Sequence, residues 1–102
     1  MTDESLGIPS PIEHEKLRLV REFLRREFRN FSHEDFYDPG RTAQVFVVQA
    51  ATKSRHVLVV PKDTFEHDDF VYLMTVQLAD ALQQTRDVPL ILTPDGPHIS
   101  LR

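Results

Sequence analysis

The chain has no cysteine and no tryptophan, and only 3 glycines in 102 residues. Without cysteine there is no disulfide, no thiolate nucleophile and no cysteine-ligated zinc or iron–sulfur centre. Gly7, Gly40 and Gly96 stand apart, so no glycine-rich loop exists to cradle a phosphate. No G-x-S-x-G elbow surrounds Ser5, Ser10, Ser32, Ser54 or Ser100. No apolar run approaches the roughly 20 residues that span a bilayer. The acidic start, MTDESLGIPSP, lacks the charged-then-apolar order of a signal peptide. These absences lead to the expectation of a soluble, cytoplasmic protein with no membrane partner, no metal, no cofactor and no enzyme motif.

What is present is the composition of a folded domain, with 40% hydrophobic and 27% charged residues. Residues 1–9 read as a flexible leader and 10–102 as a single α/β domain. Ser10-Pro11-Ile12-Glu13 has the pattern of a helix start, with Ser10 as cap and Glu13 closing a capping box. Leu17, Val20, Leu24 and Phe28 then form one apolar stripe of a helix running to about Arg29, with Asn30 as a left-handed terminator. Residues 30–41 read as a connection with one helical turn, closed by Asp38-Pro39-Gly40.

Two valine-rich runs, Ala43–Ala50 and His56–Val60, predict a β-hairpin ended by Pro61. A second helix is expected from Thr64–Asp68 to about Thr85. Acids crowd its start, and Phe70, Val71, Met74, Leu78, Ala81 and Leu82 form its apolar stripe. Leu90–Leu92 reads as a buried strand and His98–Leu101 as a short edge strand. The expected fold is α+β: a small mixed sheet with two helices, order α-β-β-α-β(-β), helices mainly on one face. That order resembles type II KH and BolA-like domains at the level of architecture. The G-x-x-G signature of KH domains is absent, so the resemblance implies no function.

Both faces of the hairpin are apolar. Val45 and Val47 point one way and Phe46 and Val48 the other, while Val57 and Val59 oppose Leu58 and Val60. Helices on one side cannot cover both faces, and Tyr72, Leu73 and Val76 add an apolar far side to the second helix. Burying one aliphatic side chain is worth roughly 1.5–3 kcal/mol, so leaving several in water marks an interface. The reading is a protein-interaction domain, self-associating or a subunit of a complex. Its interface candidates are Phe46, Val48, Leu58, Val60, Tyr72, Leu73 and Val76. The alternative is that the leader or the C-terminal strand folds over the second face.

Charge suggests a second reading. Residues 11–30 hold six positive and four negative charges, against six and twelve in the remainder. Arg18, Arg21, Arg25 and Arg29 share one face of the first helix, with Lys53 and Arg55 in and beside the hairpin loop. Together they form a candidate RNA- or DNA-binding face, opposed by the net charge of −4. Two acid–histidine clusters, His33/Glu34/Asp35/Asp38 and Glu66/His67/Asp68/Asp69, lack metal-ligand spacing. His14-Glu15 and His33-Glu34 open like H-E-x-x-H, but Arg18 and Tyr37 stand where the second histidine belongs.

Overall fold

The structure, a computed structural model, describes residues 10–51, 55–85 and 88–99. Five strands form one mixed sheet: β1 (Ser32–Asp38), β2 (Ala43–Gln49), β3 (Arg55–Pro61), β4 (Leu90–Thr93) and β5 (Gly96–Ile99). They lie side by side in chain order. The β1–β2, β2–β3 and β4–β5 pairs are antiparallel and β3–β4 is parallel, which the intervening helices permit. The helices are α1 (His14–Glu27), the short α2 (Lys62–Phe65), and a continuous run of α3 (Phe70–Tyr72), a π-helical turn (Leu73–Gln77) and α4 (Leu78–Gln84).

The fold class is the expected α+β arrangement, with one strand more than the sequence pattern indicates. Residues 32–38, SHEDFYD, are not a connection but β1. Their three acids and exposed side chains hide the strand from a propensity reading. An unbroken seven-residue register, from Ser32 opposite Gln49 to Asp38 opposite Ala43, holds it to β2. Asp38-Pro39-Gly40 is the hairpin turn between the two. There the Gly40 N–H donates to Asp38 Oδ1 at 3.0 Å, and Thr42 takes a positive φ of 50°.

Both ends of α1 differ from expectation. The helix begins at His14, and Glu13 at its cap makes no side-chain bond. Ser10 Oγ instead accepts from the Ile12 N–H at 3.2 Å. At the other end Asn30 is not left-handed. The helix stops at Glu27 because Phe28, at φ −130°, turns its ring inward against Phe31 and His56.

The second helical region starts earlier and is interrupted. Its buried residues are Phe70, Leu73, Met74, Leu78 and Leu82, while Val71 faces solvent. The i→i+5 bonds of the π turn add one residue to that turn. The position two turns before Leu78 is therefore Phe70 rather than Val71. Thr75 Oγ1 donates to the Val71 carbonyl at 2.8 Å within this segment.

Cross-strand pairing assigns each side chain to a face. On the first face, Phe46, Leu58 and Leu90 are direct neighbours, flanked by Val48, Val60 and Leu92. All six are buried beneath Leu17, Val20, Phe23 and Leu24 of α1 and Phe65, Phe70, Met74 and Leu78 of the later helices. Two buried side-chain bonds fix these layers together. Thr64 Oγ1 donates to the Leu92 carbonyl at 2.8 Å, and the His56 ring bonds the Thr85 carbonyl through Nδ1 at 2.8 Å.

Candidate functional site

The second face of the sheet is built from the alternate residues. Phe36, Val45, Val59 and Ile91 lie directly opposite one another across four strands, with His98 next on β5. Glu34, Val47 and Val57 form the adjacent row. Ala43, Val45 and Val59 are buried, with Val47, Val57 and Ile91 half-buried around them. This cluster consists of strand residues alone. Phe36, at the β1 end of the row, is 53% exposed.

Phe46, Val48, Leu58, Val60 and Leu73 are therefore not interface residues of the folded chain. They form the inner core, because the helices pack on the Phe46 side of the sheet and the π turn brings Leu73 inward. Tyr72 and Val76 are exposed on the outer side of the same helical run, at 54% and 58%. A second apolar face exists, but it carries the opposite set of valines, and its centre at Val45 and Val59 is buried within the chain. Any fold-over by residues 1–9 or 100–102 lies outside the described residues.

The arginine face is divided. Arg21 forms two hydrogen bonds to Asp35, Nε to Oδ2 at 2.9 Å and a terminal nitrogen to Oδ1 at 2.7 Å. The hydrogen bond to Asp35 raises the Arg21 pKa, aided by the carboxylate's charge and opposed by partial burial. Gln44, only 2% exposed, donates its amide to the same Asp35 Oδ1 at 2.8 Å. Its own Oε1 has no partner among the described residues. Arg18 is paired with Glu15 in an exposed contact of 2.9 Å. Arg25, Arg29 and Arg55 are exposed, and Lys53 lies outside the described residues. With Arg18 and Arg21 answered by carboxylates, the stripe presents less free positive charge than its sequence suggests. No pattern in the chain announces Asp35 and Gln44 as partners, since β1 itself was hidden.

A groove of about 240 Å³ lies between α1 and β1. Leu24, Phe46, Val47 and Val48 line it, with Arg21, Arg25, His33, Glu34 and Asp35 around them. It is smaller than the roughly 300–1,000 Å³ of a small-molecule site. His33 is fixed by a 2.9 Å bond between its Nε2 and the Phe28 carbonyl. In the other acid–histidine cluster, His67 Nδ1 accepts from the Asp69 N–H at 3.2 Å. Among the described residues no three metal-ligating side chains converge. No helix among them is long and apolar enough to cross a membrane. The chain matches no protein family, no curated protein and no solved structure with which it was compared.

Proposed function

We propose that this chain is a protein-interaction domain whose second sheet face docks on another copy of itself. One observation carries the reading. The apolar row Phe36–Val45–Val59–Ile91, with Val47 and Val57 beside it, lies on the face away from the helices; Val45 and Val59 are buried within the chain, Val47, Val57 and Ile91 are half-buried, and Phe36 at its end stands open. A contiguous apolar face bordered by polar residues suits association. Its border is mixed in charge, with Glu34 on β1 and Arg55 on β3. A twofold copy can thus oppose unlike groups, as a self-complementary contact requires.

Light scattering tests this reading. The expected mass is twice the 11.8 kDa of one chain. Val57→Glu, on the face, reduces it to one chain, whereas Tyr72→Glu, on the outer helix, leaves it unchanged. Val57→Thr keeps the shape and guards against a folding defect. It weakens association without loss of the circular-dichroism signature. A one-chain mass at millimolar concentration overturns the reading.

A further inference from the structure

The two edges of the sheet are unlike. β5 is four residues long and carries Pro97, which removes a ladder donor and blunts the edge. β1 is seven residues long, contains no proline and, among the described residues, pairs with β2 alone. About half of its N–H and C=O groups must point away from β2. Charged side chains commonly protect such an edge, but here two of the three carboxylates are engaged within the chain, Asp35 by Arg21 and Asp38 by Arg41 and the Gly40 N–H of the adjacent turn. Beside this edge runs the groove under α1, with Leu24, Phe46 and Val48, each at most 2% exposed, at its base and Glu34 and Asp35 among its polar lining. Arg25 stands at its rim, exposed and without an ion-pair partner among the described residues.

We propose that the β1 edge and the α1–β1 groove together bind an extended acidic–aliphatic segment of another protein, added as a sixth strand. Its helix-facing side chains alternate between an aliphatic group, which enters the groove, and a carboxylate, which meets Arg25. Backbone bonds to β1 supply affinity and the alternate side chains supply selectivity. The groove's volume favours single side chains over a free small molecule. A second β1 is a poor occupant. Two of its three acids are already tied, and its free Glu34 lies on the opposite face, in line with Val47 and Val57. This inference is independent of the association proposed for the valine face.

Two fluorescein-labelled octapeptides with blocked ends, VTETVTET and VTKTVTKT, test it by fluorescence anisotropy on the full chain. The acidic peptide is expected to bind at least tenfold more tightly than the basic one. Arg25→Glu, on an exposed helix position, reverses that order, and Arg25→Ala abolishes the difference. N-methylation of one alternate set of peptide amides abolishes binding and methylation of the other set is tolerated, the signature of an added strand. Val57→Glu leaves the affinity unchanged, which separates this site from the valine face. Equal affinity for the two peptides, no binding of either, or an order unchanged by Arg25→Glu overturns the proposal.

Discussion

The two faces of the sheet hold nearly the same kinds of side chain and live in different surroundings. On one face, Phe46, Leu58 and Leu90 lie beneath three helical segments. On the other, Val45, Val59 and Ile91 touch only their strand neighbours in the described cluster. Side-chain area decides which face is covered. The Phe46 side offers phenylalanine and leucine, which can interlock with the bulky stripes of α1 and the 70–84 helix, while the valine side carries smaller side chains. Larger apolar area draws the amphipathic helices.

Truncation on each face should therefore cost different amounts and obey different laws. Phe46→Ala removes a ring from a close-packed core and is expected to cost about 3–5 kcal/mol, independent of protein concentration. Chemical denaturation at two concentrations measures it. A cost below about 1 kcal/mol would mean that the helices do not pack there as described.

The next effect lies at the border of the covered face. Asp35→Ala removes both bonds to Arg21 and the one to Gln44, leaving a buried amide with no partner. The expected loss is about 1–3 kcal/mol. Adding Gln44→Leu to that variant should recover part of the loss, because an apolar side chain at a buried position has no unpaired donor. If the double variant is less stable than the single one, Gln44 has another partner.

On the valine face, Val57→Ala should cost about 1 kcal/mol at low protein concentration, since the side chain is only half-buried. If this face docks a second copy, the cost grows as concentration rises, because dissociation is coupled to unfolding. The Phe46→Ala cost does not change with concentration. Parallel behaviour of the two variants would remove the distinction between the faces.

The sequence made this imbalance legible without resolving its direction. Alternation in Val45–Val48 and Val57–Val60 shows that both faces are apolar, but parity alone cannot say which one the helices choose. The mixed sheet and the helical stripe of Leu17, Val20 and Leu24 were readable because period and turn residues agree. β1 was not, because Ser32–Asp38 is stabilised by its register with β2 and by the Arg21–Asp35 pair, both contacts between separated segments. The π turn has no local marker either. It shifts the helical phase by one residue and so exchanges the roles of Val71 and Leu73.

The smallest expected effect concerns the Lys62–Glu66 pair of α2, at the outer rim of the helical layer, with a contact of 2.6 Å. The hydrogen bond from Lys62 lowers the Glu66 pKa, and its charge adds to the shift. A carboxylate with a depressed folded pKa contributes stability above its unfolded value. That contribution disappears as pH falls through the lower folded value. Both groups are exposed, so the contribution is slight and is best read as a titration. Carbon-detected NMR should place the Glu66 midpoint below that of an ordinary glutamate, and Lys62→Ala should return it there. Melting temperatures of the two proteins should then differ little at neutral pH and converge in acid. A large neutral-pH difference would mean that Lys62 holds α2 in place through more than this pair. The rim would then contribute to covering the first face, and its contrast with the valine face would rest on more than apolar packing.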